Sequence, residues 1–128
     1  MQRNIKVLVV EPYQLPYEKT IPNRLKDKQS IVDGYIEYVR LLEDEDVVLI
    51  CNEEGKINGS SYNRDIGYDV VFGTFIIVGE SADDGEDRSL TKEQIEKYKK
   101  RFGYDSILET EKKVIDILVN KKGKDMEG

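Results

Sequence analysis

Histidine and tryptophan are absent from this chain of 128 residues, and cysteine occurs once, as Cys51. Without histidine, the chain lacks the side chain that most often acts as a general base near neutral pH. A structural zinc site is excluded too, because such sites need several cysteine and histidine ligands. A single cysteine forms no internal disulfide, and Cys51 has no imidazole partner that would activate it. We therefore expect Cys51 to be a buried, inert thiol, and we expect no metal and no cofactor.

Long apolar runs and an excess of basic residues are also missing. The net charge is −6 and the isoelectric point is about 4.8, which argues against nucleic-acid binding through a basic surface. No apolar run approaches the roughly 20 residues that cross a bilayer, and no apolar segment precedes a signal-peptide cleavage site. A chain of 128 residues has the usual length of one domain. We predict a single cytoplasmic domain, 1–128, with no nucleic-acid and no membrane partner.

The first two thirds of the chain alternate between apolar runs and turn residues, which predicts a sheet. The run IKVLVV, residues 5–10, is apolar toward both faces, as in a central strand that is covered on both sides. Gly55 favours a hairpin that folds back through Ile57, and Gly73 favours a bulge or a close backbone approach within the apolar run 69–79. The other predicted elements are a short strand at 17–21, a helix from the N-cap Asn23 to Gly34, and a hairpin of strands 35–42 and 47–51.

Two helices are predicted in the last third of the chain. A capping box at Thr91 begins the first helix, and Gly103 ends it. A second capping box at Ser106 begins the other helix, which the segment 121–123 is expected to close. An apolar stripe predicts that this helix packs in the core, where Leu118→Ala would cost about 2–5 kcal/mol. The stripe consists of Ile107, Val114, Ile115 and Leu118.

Together these elements predict an α+β fold. We expect a mostly antiparallel sheet of about five strands, one helix between strands, and two C-terminal helices packed on the sheet. The sheet core is predicted at about 4–79, an acidic loop at 80–90, and the helical pair at 91–123. The helices must cover at least one face of the sheet, because its central strands are apolar on both faces.

A polar stretch that follows the strand 47–51 is the candidate site. The segment ICNEEGKINGSSYNR, residues 50–64, gathers asparagine, glutamate, lysine and arginine around two glycines. Its simplest interpretation is a solvated hairpin, since these residues suit turns and surfaces. The functional interpretation is a binding site, because asparagine both donates and accepts hydrogen bonds and an exposed Arg64 would match phosphate or carboxylate. The candidate ligand-binding residues are Asn52, Glu53, Glu54, Lys56, Asn58, Asn63, Arg64 and, on a later strand, Thr74.

Two acidic segments, LEDED at 42–46 and SADDGED at 81–87, are typical of solvated turns. The alternative is an acidic surface that imitates the phosphates of DNA and occupies a DNA-binding protein. The balance of charge favours solvated turns, because 20 basic residues offset 26 acidic ones. The second segment is not a calcium-binding loop, since its acidic residues do not alternate around the glycine.

Four blocks of the sequence, taken in order, resemble one protein family. They are KVLVVEP, IPNRLKDKQSIVDGYIEYV, LICNEEGKINGSSYNR and FGTFIIVG, and they extend over roughly residues 4–104. The family is the domain of unknown function 3846. Its members occur in phages and in mobile elements of low-GC Gram-positive bacteria, often near antirestriction genes. The polar motif of the family corresponds here to Asn52, Glu53, Glu54, Gly55, Asn58, Gly59, Asn63 and Arg64, with Gly73 and Thr74 in the later strand.

One departure from the family pattern is visible. Members often have a second glycine where this chain has Asp33, directly before Gly34. The first helix is therefore expected to end differently from the helix of other members. The family has no assigned activity, so the resemblance implies a biological setting and no mechanism.

The resemblance gives more weight to the binding-site interpretation and implies a counter-defence role. Our leading hypothesis is a non-enzymatic phage or mobile-element protein that binds and sequesters a small polar ligand, with a nucleotide-derived signal as one candidate. Arg64 would pair with its phosphate or carboxylate. The alternative is an acidic protein-interaction module that inhibits a host defence protein. An enzyme ranks third, because Glu53 or Glu54 would have no nucleophile or metal beside it. The oligomeric state stays open.

Overall fold

The computed structural model describes residues 3–127, with the side chains of residues 3–120. Within this range the sheet elements come first, interrupted by one helix, and two helices follow them. The elements are β1 Asn4–Val10, β2 Tyr17–Pro22, α1 Leu25–Val32, β3 Ile36–Arg40, β4 Val47–Asn52, β5 Tyr62–Asp65, β6 Val70–Phe72, β7 Phe75–Glu80, β8 Asp87–Arg88, α2 Lys92–Arg101 and α3 Tyr104–Glu127.

The main sheet has the spatial order β2-β1-β7-β4-β3, and every neighbouring pair of strands is antiparallel. The short β8 pairs with the end of β7. β7 lies in the middle of the sheet, where Ile77 is opposite both Leu8 of β1 and Leu49 of β4. The predicted fold class, α+β with a mostly antiparallel sheet of about five strands, is confirmed.

Helices cover both faces of the main sheet. On one face, Tyr98 and Phe102 at the end of α2 pack in the same core as Phe75 of β7, and the rings of Phe75 and Phe102 meet edge to face at 5.4 Å. On the other face, Ile31 of α1 packs against a second core that contains Ile76. Consecutive residues of a strand point to opposite faces. The unbroken apolar runs of the central strands therefore supply two cores at once.

The capping box predicted at Thr91 is present at the start of α2. Thr91 Oγ1 accepts a hydrogen bond from Gln94 N at 3.1 Å, and Gln94 Oε1 accepts one from Thr91 N at 2.9 Å. This helix start was predictable because both partners lie within one turn of the chain. The helix ends at Arg101, close to the predicted Gly103.

The first residue of α1 differs from the prediction, and the helix ends at Val32, shortly before the predicted Gly34. Arg24 occupies the N-cap. The predicted cap, Asn23, is engaged elsewhere, since its Nδ2 donates to Asp87 O at 3.2 Å and its Oδ1 accepts from Lys28 Nζ at 2.9 Å. At the other end Asp33 adopts the left-handed conformation with φ of 59°, at a position where glycine is usual.

The second hairpin lies further along the chain than predicted. Residues 53–59 form turns, and no strand folds back through Ile57. β5 and β6 instead form a separate two-stranded sheet. Gly73 has φ of 80° and divides the apolar run 69–79 into β6 and β7. The irregularity predicted at Gly73 is thus a change of sheet, because glycine adopts this φ without steric cost.

Both predicted ends of the last helix are wrong. α3 begins at Tyr104, two residues before the predicted N-cap Ser106, and it continues past residue 123 to Glu127. A glycine alone does not end a helix, since it costs only about 1 kcal/mol relative to alanine in the interior. In the part of the chain that the structure describes, no helix is both long enough and apolar enough to cross a membrane.

Only the first half of α3 packs against the rest of the protein. Ser106 and Thr110 are buried, and Asp65 N of β5 donates a hydrogen bond to Thr110 Oγ1 at 2.9 Å. Lys113 Nζ still donates to Asp65 Oδ1 at 3.1 Å, but residues 115–120 are exposed, and Leu118 is 57% exposed. The predicted core position of Leu118, and the cost predicted for Leu118→Ala, are therefore wrong.

Candidate functional site

A groove opens on the surface beside the end of β4. The turn 53–57 forms one wall, the β5–β6 hairpin forms the other, and the cavity between them measures about 280 Å³. We call this cavity the loop groove. Its polar lining consists of Glu37, Asn52, Glu53, Glu54, Lys56, Tyr68 and Asp69. Its apolar lining consists of Val39, Cys51, Ile57, Ile66, Val70, Val71 and Phe72. Four predicted site residues, at positions 52, 53, 54 and 56, thus meet in one place.

Asn52 holds the turn in position. Its Oδ1 accepts a hydrogen bond from Glu54 N at 2.7 Å, while its Nδ2 donates to Val32 O at 3.1 Å and to Asp33 O at 3.0 Å. Both amide hydrogens are therefore bonded to the last carbonyls of α1, which a helix end leaves without partners. Asn52 fastens the groove wall to α1, and its amide group has little left to offer a ligand.

Gly55 allows the turn to approach the facing hairpin closely. A β-carbon at this position would lie 2.6 Å from Phe72 O of β6, which is closer than atoms can pack without a shift of the backbone. The glycine was predicted as a hairpin turn residue. Its actual role is to bring the two walls of the loop groove together.

A salt bridge crosses the mouth of the loop groove. Lys56 Nζ of the turn lies 2.6 Å and 2.8 Å from the two carboxylate oxygens of Asp69 on the opposite wall. The hydrogen bond from Lys56 is the main reason why the pKa of Asp69 is lowered. Both side chains are about half exposed, at 54% and 51%, and such exposed pairs contribute about 0–1 kcal/mol. This bridge therefore adds little to the stability of the folded protein.

The floor of the loop groove is apolar and includes the single cysteine. Cys51 is buried, as predicted. Burial raises the pKa of its thiol to about 11, and the charges of Glu37 and Asp69 act in the same direction. The thiol is consequently protonated at neutral pH, and a protonated thiol is a poor nucleophile. Cys51 contributes apolar surface to the groove.

The rim of the loop groove is acidic. Glu37, Glu53, Glu54 and Asp69 face a single lysine, Lys56, among the residues that line the cavity. The Tyr68 hydroxyl adds no free donor, because it donates to Arg40 O of β3 at 2.7 Å. A negative potential over an apolar floor favours cations and hydrogen-bond donors and disfavours phosphate.

Asn58 and Thr74 lie outside the loop groove, as do Asn63 and Arg64. Asn58 is exposed, and its Oδ1 accepts hydrogen bonds from Ser60 N at 3.1 Å and Ser60 Oγ at 2.6 Å. This arrangement closes a local turn, which matches the simpler interpretation of the segment. Thr74 is half-buried in the short connection between β6 and β7. Neither side chain belongs to the lining of the loop groove.

Asn63 is a buried connector. Its Nδ2 donates to Val10 O at 2.8 Å and to Gly73 O at 2.9 Å, so one amide group joins the end of β1 to the junction of β6 and β7. Its Oδ1 accepts a hydrogen bond from Arg64 Nη1 at 2.8 Å. The amide group that was predicted to bind a ligand is thus bonded within the protein, to two backbone carbonyls and to Arg64.

Arg64 is fully buried, at 0% exposure, so the expectation of an exposed loop arginine is wrong. Its Nε and Nη2 donate to Phe102 O at 3.1 Å and 3.0 Å, and Nη2 also donates to Gln14 O at 2.6 Å. Phe102 is the C-cap of α2, where a cation is favoured by the helix dipole. Burial lowers the pKa of Arg64 to about 10, so the guanidinium stays charged at neutral pH. Arg64 joins β5 to α2 and to the loop after β1.

The sequence analysis missed the groove residues that come from other elements. Glu37 lies on β3 directly opposite Cys51 of β4, and Tyr68 and Asp69 lie in the loop between β5 and β6. The β3–β4 hairpin was predicted from the sequence, and its register places Glu37 beside Cys51. This register is the one feature of the sequence that could have indicated Glu37 as a groove residue. The position of Asp69 depends on how the β5–β6 hairpin packs, which no local pattern indicates.

The acidic segment at 42–46 is tied to the helical layer. Asp44 accepts hydrogen bonds from Lys97 Nζ and from the Tyr98 hydroxyl, both at 2.7 Å, and these bonds lower its pKa. Glu43 pairs with Arg101 of α2 at 3.0 Å. These carboxylates therefore fix α2 against the turn before β4 and are not an unpaired acidic surface.

The fold and the groove define a small α+β domain with a surface cavity between a turn and a hairpin. The chain belongs to the family described as Domain of unknown function (DUF3846), whose model matches residues 5–103. The whole loop groove lies within the matched region, whereas α3 lies beyond it. No curated protein and no solved structure matches the chain. Within the described residues, no group of three or more His, Cys, Asp or Glu side chains is arranged to hold a metal ion.

Proposed function

We propose that this protein is a non-enzymatic binding protein that sequesters a small polar ligand in the loop groove. The observation that carries the proposal is an acidic rim above an apolar floor in one cavity of about 280 Å³. Ligand sites commonly combine apolar walls with a few polar groups, in volumes of about 300–1,000 Å³. A cavity just below that range suits a small molecule.

The charge of the loop groove defines the ligand class that it favours. The carboxylates of Glu37, Glu53 and Glu54 can accept hydrogen bonds from a ligand, while Lys56 is already paired with Asp69. The favoured ligand therefore carries an amine, a guanidine or several N–H donors, together with an apolar part. A nucleotide-derived ligand would place the amino edge of its base in the groove and its phosphates in solvent. Arg64, which was expected to hold a phosphate, is engaged inside the protein.

The counter-defence role that the family resemblance implies is part of the proposal. Sequestration removes a signal by binding it, so it needs neither a general base nor a nucleophile. The alternative, an acidic surface that inhibits a host defence protein, has less support. Two carboxylates of the acidic segment 42–46, Glu43 and Asp44, are bonded to side chains of α2.

Thermal melting against a panel of amines, guanidino compounds, nucleosides and nucleotides tests the proposal. A ligand at one hundred times its dissociation constant stabilises the folded state by about 2.7 kcal/mol, which raises the melting temperature of a domain of this size by about 10 °C. We expect a donor-rich compound to produce this rise. In Glu53→Gln/Glu54→Gln, which keeps the shape but removes two charges, the affinity should fall about tenfold for each charge-assisted hydrogen bond that is weakened.

Glu93→Gln/Glu96→Gln is the matched control. It makes the same change of charge at two exposed positions of α2, outside the loop groove, and it should bind as the wild type does. Failure of every compound to raise the melting temperature of the wild type would count against the proposal. Equal affinities of the two double variants would show that the ligand binds elsewhere.

A further inference from the structure

The two edge strands of the main sheet, β2 and β3, differ in their content of proline. Pro16 directly precedes β2 and Pro22 is its last residue, and proline on an edge hinders pairing with another chain. β3, at the opposite edge, contains no proline. Within residues 3–127, which the structure describes, no strand pairs with the outer side of β3. An open edge of this kind can accept a further strand.

The outer side of β3 presents the backbone groups of two residues. Tyr35 O, directly before the strand, accepts a hydrogen bond at 2.9 Å from the first residue after β4. Bonded positions alternate along an antiparallel pair, so the N–H and C=O groups of Ile36 and Tyr38 point away from β4. The open edge ends there, because Arg40 O accepts a hydrogen bond from the Tyr68 hydroxyl at 2.7 Å.

A cavity lies on each face of the sheet beside this edge. Glu37 and Val39 of β3 line the loop groove. Tyr38 and Arg40 line a second cavity, which measures about 360 Å³. Consecutive residues of a strand point to opposite faces, so a strand that is added to β3 directs alternate side chains toward the loop groove and toward the second cavity.

The loop groove favours a basic side chain. Among the described residues, no side chain pairs with the carboxylates of Glu37, Glu53 or Glu54. Lysine and arginine combine a charged hydrogen-bond donor with an apolar stem, which matches the acidic rim and the apolar floor of the groove. The added strand should therefore carry its basic residues on the face that points toward the loop groove.

We propose that β3 binds an extended peptide that joins the main sheet as an antiparallel strand, with lysine or arginine at every second position. The basic residues lie opposite Glu37 and Val39 and enter the loop groove. The residues between them exchange backbone hydrogen bonds with Ile36 and Tyr38. The choice of a basic side chain rests on the proposed function, because it uses the same groove and the same preference for a charged donor.

Titration of the protein into a fluorescent peptide TRTRTRT, acetylated and amidated, tests strand addition by fluorescence anisotropy. Salt at about 0.15 M screens the general attraction between exposed charges. N-methylation of the inner threonines removes the N–H groups that point at β3, so it should weaken binding by at least about tenfold. N-methylation of the same number of arginines alters N–H groups that point to solvent and should leave the affinity within about twofold. Both modified peptides keep the charge and the side chains of the original.

Glu37→Gln tests the place of the arginine side chains. It should weaken the binding of TRTRTRT about tenfold, because one charge-assisted hydrogen bond is weakened. The matched control is Glu93→Gln, the same change at an exposed position of α2 outside both cavities, and it should bind as the wild type does. Unchanged affinity of Glu37→Gln overturns the placement of arginine in the loop groove. Absence of binding by TRTRTRT, or equal effects of the two N-methylations, overturns strand addition.

The two proposals for the loop groove fail in different ways. If a guanidino compound raises the melting temperature but TRTRTRT does not bind, the small-ligand function stands and the peptide partner is overturned. If no small compound raises the melting temperature but TRTRTRT binds with the expected pattern of N-methylation, the peptide partner stands without the small ligand.

Discussion

Replacement of Arg64 by alanine should lower the free energy of unfolding by about 3–5 kcal/mol in the absence of any ligand. The guanidinium donates to Phe102 O, Gln14 O and Asn63 Oδ1, and its loss leaves these acceptors inside the protein without a donor. A buried polar group that loses its partner costs about 1–3 kcal/mol, and the vacated volume adds a cavity cost. Urea unfolding followed by circular dichroism measures the change, and the melting temperature should fall by on the order of 10 °C or more.

Two further variants separate the causes. Arg64→Met fills most of the volume but restores no donor, so it should remain destabilised by most of the same amount. Lys56→Ala removes the other cation of the segment 50–64, which is half exposed, and should change stability by less than about 1 kcal/mol. If Arg64→Ala melts within about 1 °C of the wild type, its hydrogen bonds do not hold α2 to β5, and its side chain is available to a ligand after all.

Arg64 also shows why part of the site was beyond prediction. Its partners Phe102 and Gln14 are 38 and 50 positions away along the chain. No propensity or spacing within the segment 50–64 carries information about them. From composition alone, an arginine in a polar stretch is expected to be exposed, because arginine is almost never fully buried unless its donors are satisfied. Only the packing of α2 on the sheet supplies those acceptors.

The features that were predictable are those whose causes are local. The central strands follow from apolar runs that suit both faces of a covered sheet, and the start of α2 follows from Thr91 and Gln94 within one turn. The near wall of the loop groove was found for the same reason, since residues 52–57 are consecutive. Its far wall comes from β3 and the β5–β6 hairpin, which reach the groove only through tertiary packing.

The apolar stripe of α3 illustrates a different limit. Periodicity identifies a helix face that avoids water, but it does not distinguish a core from a surface that binds a partner. Leu118 fits the period and is exposed. α3 packs against β5, a strand of four residues, and the apolar stripe continues past that contact.

Replacement of Asp87 by alanine should destabilise the protein by about 3–5 kcal/mol, because it leaves a buried lysine without its counter-charge. The Asp87 carboxylate pairs with Lys28 Nζ of α1, and their side chains are 7% and 8% exposed. It also accepts a hydrogen bond from the Tyr38 hydroxyl of β3 at 2.8 Å. This cluster joins α1, β3 and β8, and urea unfolding of Asp87→Ala measures its loss.

The Asp87 result becomes specific when it is compared with two other variants. Asp27→Ala removes a carboxylate that pairs with Arg24 on the same helix, where the arginine is 57% exposed, and it should cost less than about 1 kcal/mol. Lys28→Met/Asp87→Leu replaces the buried pair by apolar side chains and should be more stable than Asp87→Ala, because a well-packed apolar pair is often as stable as a buried ion pair. Equal, small effects of Asp87→Ala and Asp27→Ala would show that water reaches Lys28. A double variant no more stable than Asp87→Ala would show that the cost comes from the lost link between α1 and β8, and not from an uncompensated charge.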